Sequence, residues 1–306
     1  MCNRRRFPVV VAVCVLAGFV AVVSNPIDLV AQLPTPASAR RGSFTFTEIK
    51  FPGAIRTRAL GLNDHGEIVG NYFDSNSVFH GYLLKQGNFT SFDPPNSIHT
   101  GANAINNAGV IAGDFLDTNN VVHGFFLYRG VFTIFDFPGA TGTFVSGLND
   151  LVQAVGTYLD SSSNEHGFLL SNGIFTSIDF PGGVAGTEAV GINNLGQIVG
   201  DFFDASGNTH GYLLSMGNFS TIDVPGAFSL TQPEGINSHG EIVGFYDSND
   251  QLHGFKLTAG TFRTVDVPNA FDTEADRINE AGQIVGIYHL FGVHAFLAVP
   301  SLIRKP

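Results

Sequence analysis

Gly191-Ile192-Asn193-Asn194-Leu195-Gly196-Gln197-Ile198-Val199-Gly200 decides the fold because it recurs, each time followed by two further phrases. In this copy they are His210-Gly211-Tyr212-Leu213-Leu214 and Phe219-Ser220-Thr221-Ile222-Asp223-Val224-Pro225-Gly226-Ala227. The asparagine returns at Asn63, Asn106, Asn149, Asn193, Asn237 and Asn279, in steps of 43, 43, 44, 44 and 42 residues. The histidine keeps the same beat at His80, His123, His166, His210, His253 and His294, and the proline at Pro52, Pro95, Pro138, Pro181, Pro225 and Pro268. A fixed period of roughly 20 to 50 residues marks a repeat architecture.

Within the unit Phe180 to Asp223, Asn193-Asn194-Leu195-Gly196 reads as a tight turn between two apolar runs, with glycine at the position of positive φ. Asp204-Ala205-Ser206-Gly207-Asn208 and Met216-Gly217 mark two more turns. Each unit therefore carries four strands of about five residues without helical periodicity, which describes one antiparallel four-stranded sheet. Such a sheet cannot bury both faces alone, and stacking the units radially gives a β-propeller, which also protects the edges. The last unit stops after a third strand, His294-Ala295-Phe296-Leu297, while the chain opens with an orphan strand, Ser43 to Ile49. Joined, they complete a ring. The expected fold is all-β, a six-bladed β-propeller over residues 43–299 whose last blade is closed by the N-terminal strand.

With these phrases in fixed order, the units resemble the HAF repeat of a family described as probable extracellular repeat proteins. His294-Ala295-Phe296 matches the name literally, whereas the other units have glycine after the histidine, as in His80-Gly81-Tyr82. The resemblance covers Ser43 to Val299. It implies secretion and repetition and brings no activity.

The N-terminus carries the address. Arg4-Arg5-Arg6 precedes an apolar run from Phe7 to about Val23, the pattern of a secretory signal. Ala37-Ser38-Ala39 offers a cleavage site, so residues 1–39 read as signal and linker, 300–306 as a tail, and the expected location is extracellular or periplasmic. An uncleaved N-terminal anchor stays open, since the run is near the shortest that spans a bilayer. Both cysteines, Cys2 and Cys14, lie in this segment, so the mature chain must be held by its core alone. The whole chain has a net charge of −11, and cleavage makes it more negative, which argues against nucleic acid or an anionic membrane as partner. A monomer is expected.

Residues present in every unit read as structural, because a ligand site needs one constellation and a scaffold needs six. Asp74, Asp117, Asp160, Asp204 and Asp247 precede the histidines and are expected to cap Asx-type turns. Six histidines in a six-fold ring stand too far apart to share one metal ion. No loop has the full calcium-binding pattern, so no cofactor is expected, with calcium in the Asp-bearing loops as the alternative. Nucleophile-elbow, zincin, dinucleotide and phosphate-loop motifs are missing.

Function must then lie where the units differ. The inter-unit connections and the loops between second and third strands share one face, and their residues at the start of strand one approach the central channel if that strand is innermost. Arg56, Arg58, His99, Glu188, Gln232, Glu234, Glu274, Asp276 and Arg277 are the candidate ligand-binding residues; Arg277 replaces the usual glycine before Ile278. Carboxylates, an amide and guanidiniums at one mouth suit a sugar or a cation, and paired carboxylates could act on a glycosidic bond. Two functions follow. One is a non-enzymatic binding or scaffold propeller for an extracellular glycan or protein. The other is an extracellular hydrolase or lyase for carbohydrate or lactone; convergence of carboxylates at the channel would favour this second function.

Overall fold

A local rule makes each repeat a sheet. The repeat asparagine accepts, through Oδ1, the N–H groups two and four residues on; Asn193 takes those of Leu195 and Gln197 at 3.0 Å each. Gly196 then reverses the chain at φ 74°. In the computed structural model, which describes residues 43–301, this produces six four-stranded antiparallel sheets arranged as a six-bladed propeller. The signal, the anchor alternative and the end of the tail lie outside the described residues.

Blades 1 to 5 take their four strands in chain order, beginning with Arg56–Leu62, Ser97–Ile105, Gly142–Leu148, Thr187–Ile192 and Thr231–Ile236. Blade 6 begins with Asp272–Ile278 and is completed by Phe44–Ile49, which pairs antiparallel with Val293–Pro300 from Phe44 opposite Pro300 to Ile49 opposite Ala295. The orphan strand therefore closes the ring as expected. His294 Nδ1 bonds Glu48 Oε1 at 2.9 Å across that seam, where the other blades pair histidine with aspartate, as in His210 with Asp223.

The core lies between blades. Val199 and Ile222 of blade 4 pack with Ile236, Ile242 and Phe255 of blade 5, and five equivalent clusters complete the circuit. The aromatic after each histidine phrase, Tyr82, Phe125, Phe168, Tyr212, Phe255 or Phe296, is fully buried. Burying one such ring contributes about 1.5–3 kcal/mol. The repeat asparagine also joins the blades. Its Nδ2 donates to the carbonyl of the asparagine in the next blade, from Asn63 to Asn106 at 3.1 Å and onward until Asn279 returns to Asn63 at 3.2 Å.

The threonine of strand one ties down the inter-blade connection. Thr187 Oγ1 accepts the N–H of Phe180 at 3.0 Å, and Thr57, Thr143, Thr231 and Thr273 act alike. Thr100 cannot, because Pro94 has no N–H at that place, and its hydroxyl turns to Ser97. Replacing Thr187 by valine should therefore cost about 1 kcal/mol in urea unfolding, since it strands a half-buried N–H. Thr100→Val should cost clearly less. Equal losses would mean that the hydroxyl's packing, not its bond, matters.

Candidate functional site

Strand one is innermost, and first strands of neighbouring blades meet all round the axis. All six are interrupted at one place by a β-bulge, at Leu60, Asn103, Ser146, Val190, Glu234 and Asp276. A bulge leaves one residue out of the ladder and re-aims its groups. The channel is consequently built in levels. At the Asn-x-x-Gly end is a polar mouth ringed by the repeat asparagines and by Asp64, Asn107, Asp150, Asn194 and Glu280. Next comes a collar of Leu62, Ile105, Leu148, Ile192, Ile236 and Ile278 around a cavity of about 70 Å³. Arg277 and the bulges form the waist. Beyond the waist, on the face of the inter-blade connections, stand the charged residues.

Glu188, Asp201, Glu234, Glu274 and Asp276 interact electrostatically there, with Arg58 and Arg277 as the opposing charges. Burial is the first cause of every shift in this group. It pushes the carboxyls of Glu188 and Glu274 up to about 7 and that of Glu234 up to about 8, although Arg277 pulls Glu234 down. Asp201 and Asp276 rise well above the ordinary carboxylate range, helped by Glu188 and Glu234 in the first case and by Glu234 and Glu274 in the second. The three glutamates keep a partly exposed edge although protein surrounds them, as groups lining a channel do.

Asp201 is 1% exposed, and both of its carboxylate oxygens lack a partner. The cause lies in the next blade. In blade 2 the equivalent Asp114 accepts the N–H of Val145 of blade 3 and the Nδ2 of Asn103. At the place of Val145, blade 5 has Pro233, which has no N–H to give. Pro233 does face blade 4, since a Cβ added at Gly211 would fall 2.5 Å from its Cγ, and Gly211 is the strand neighbour of Asp201. Asp201 therefore has the position of Asp114 without its donor.

Of the residues expected at the mouth, the fold gathers Arg58, Glu188, Glu234, Glu274, Asp276 and Arg277 around the channel. Gln232 sits between Glu188 and Glu274 in the same row of first-strand positions, half-buried. Arg56 and His99 are placed apart from this group. Arg56 is exposed over the Phe73 ring, 5.6 Å from its centroid, and His99 Nδ1 accepts the N–H of Phe79 on the neighbouring blade. Sequence reading passed over Asp201, Asp114 and Asn71. They follow the Ile-Val-Gly or Ile-Ala-Gly of strand two, where the other repeats have Thr157, Phe245 and Ile287, and that variation was the available signal.

The recurrent aspartates behave as turn caps at four positions. Asp74, Asp117, Asp160 and Asp204 each accept the N–H groups two and four residues on, and those bonds hold their carboxyls below the usual range. Asp247 departs from the expectation. It takes the N–H groups of Phe228, Ser229 and Leu230 in the connection entering blade 5, because that connection loops back over its own blade.

No family model and no curated protein matches the chain, so the resemblance to the HAF-repeat family rests on the residues quoted above. Among solved structures the chain is similar to a streptogramin B lyase, at 14% identity over 84% of this chain and 98% of that one, TM-score 0.50. It is similar also to a gluconolactonase from Xanthomonas campestris, at 10% identity over 89% and 99%, TM-score 0.52. A third likeness is to the SapL1 lectin in complex with alpha methyl fucoside, at 13% identity over 84% and 99%, TM-score 0.50. At such identities the likeness is one of fold: this chain is a β-propeller of a shape that lectin, lyase and lactonase sequences also adopt.

Proposed function

We propose that the chain is an exported, non-enzymatic binding propeller that takes an extracellular glycan at the carboxylate-lined mouth of its channel. One observation carries this reading. Among the described residues, Arg58 Nε, Asn71 Oδ1, both oxygens of Asp201, Oδ2 of Asp276 and Nδ1 of His289 are buried polar atoms without hydrogen-bond partners, and Arg58, Asp201 and Asp276 belong to the charged group at this mouth. Buried polar atoms are normally paired, so such a concentration marks a place where something else supplies the bonds. Sugar hydroxyls donate and accept alike, which suits carboxyls poised between the protonated and ionised forms. The SapL1 lectin lends the reading precedent of fold only.

The convergence of carboxyls favours a second reading, an acid–base hydrolase or lyase for carbohydrate or lactone. Glu234 with its carboxyl near 8 could hold a proton beside a more acidic neighbour, the pairing that general acid and base require. One experiment separates the two. The purified full chain is heated with a panel of oligosaccharides, in parallel with Glu234→Gln, and each sugar is then analysed for breakdown. A ligand at about 100 times its dissociation constant should stabilise the native state by roughly 2.7 kcal/mol, and Glu234→Gln should weaken that response. Stabilisation without turnover supports the binding propeller, and turnover moves the protein to the second reading. No response to any sugar ends the glycan reading.

A further inference from the structure

Arg277 is the one arginine placed where the other repeats have Gly61, Ala104, Gly147, Gly191 and Gly235. Those residues are small because the first strands converge there; a Cβ on Gly191 would already lie 2.8 Å from the Glu234 carbonyl oxygen of the next blade. In blade 6 the side chain instead runs into the axis. Nη1 donates to the carbonyls of Glu234 and Asp276, the latter at 2.8 Å, while Nη2 donates to those of Ser146 and Val190, the latter at 3.4 Å. A carboxylate oxygen of Glu234 stands 3.6 Å from Nη1. One guanidinium thus collects bulge carbonyls from four of the six blades.

Those four oxygens are available because the bulge takes each residue out of the strand ladder. They point at one locus beside the Glu234 carboxylate, and the Arg277 guanidinium donates to all four. Converging carbonyl oxygens form a cation site, and leaving them unpaired in a buried position is costly. A planar fork of five N–H groups can serve several acceptors in one plane, which three donors on a lysine cannot do as well. We propose that the waist of the propeller is a cation-binding site that the chain fills with its own guanidinium. The propeller then carries its axial cation covalently and closes its channel between the apolar collar and the carboxylate mouth. This inference stands whether or not the mouth binds a glycan.

Arg277→Gly tests it, since it restores the residue that most other repeats have and should empty the site. The full-length variant is followed by thermal unfolding while methylguanidinium chloride is titrated, with N-methylurea as a neutral analogue of similar shape and sodium chloride at matched ionic strength. A calcium chloride series is the second arm. The variant should melt below the parent and recover by roughly 5–10 °C at about 100 times the dissociation constant of the rescuing cation, with the parent unmoved. Rescue by either methylguanidinium or calcium supports the proposal. Equal rescue by N-methylurea would show that Arg277 merely fills space, and no rescue by either cation overturns the proposal as well. If the variant is unfolded in plain buffer, refolding from urea is followed by circular dichroism with and without methylguanidinium. Recovery only with a cation supports the site, and failure with both cations overturns it.

Discussion

Asn193→Ala should cost about 3–5 kcal/mol in urea unfolding, the largest loss expected from a single substitution in this protein. The side chain is 3% exposed and serves four partners at once. Oδ1 accepts from Leu195 and Gln197, and Nδ2 donates to Gln197 Oε1 at 2.8 Å and to the Asn237 carbonyl at 3.0 Å. Alanine leaves two N–H groups and a carbonyl without their partners near the axis, and each stranded group costs about 1–3 kcal/mol less whatever water can restore. Melting should fall by roughly 8–16 °C for a domain of this size. Asn193→Asp separates the two halves of the role, because it keeps the acceptor for the turn and replaces the inter-blade donor by a charge facing a carbonyl. An aspartate variant as stable as the parent would remove the inter-blade bond from the account and leave only the turn.

The same residue explains what the sequence could reveal. The turn that Asn193 makes with Gly196 is local, and with the 43-residue beat it suffices to predict strands, blades and the closure of blade 6 by Ser43 to Ile49. Its second bond goes to a residue 44 positions away, and nothing in the repeat names that partner. The site was legible to a similar degree. Positions compared at the opening of strand one identified Glu188, Glu234, Glu274, Asp276 and Arg277 as departures from the repeat. Arg56 and His99 stand next to the aligned threonines Thr57 and Thr100, which is why the sequence groups them with the others, whereas in the ring Arg56 is exposed over Phe73 and His99 is turned to the backbone of Phe79. Asp201 was missed for a further reason. Its isolation depends on Pro233 in another blade, and only the packing of blade 4 on blade 5 brings a residue that needs a donor against one that has none.

Between pH 5 and pH 8 the protein should lose several kcal/mol of stability as the pH rises. A carboxyl whose folded pKa lies above its unfolded value, near 4, holds its proton more tightly in the native state. Its contribution is complete below that unfolded value and is lost as the pH climbs through the folded one, here about 7 for Glu188, Glu274 and Asp114 and about 8 for Glu234. Each excess proton gives a slope of about 1.4 kcal/mol per pH unit, so two of them over two units amount to about 6 kcal/mol. The turn aspartates shift the other way, but their stabilisation is gained as the pH rises towards about 4 and is complete before this window opens. Urea unfolding at constant ionic strength, stepped from pH 5 to pH 8, measures the slope. Glu234→Gln assigns it: the amide stays neutral throughout, so the variant should match the parent near pH 5 and exceed it near pH 8. Stability that is flat or rising across this range would mean that Arg58, Arg277 and channel water neutralise the group fully. Asp201 would then be an ordinary ionised carboxylate held by solvent, and the strongest mark of a ligand site at this mouth would be gone.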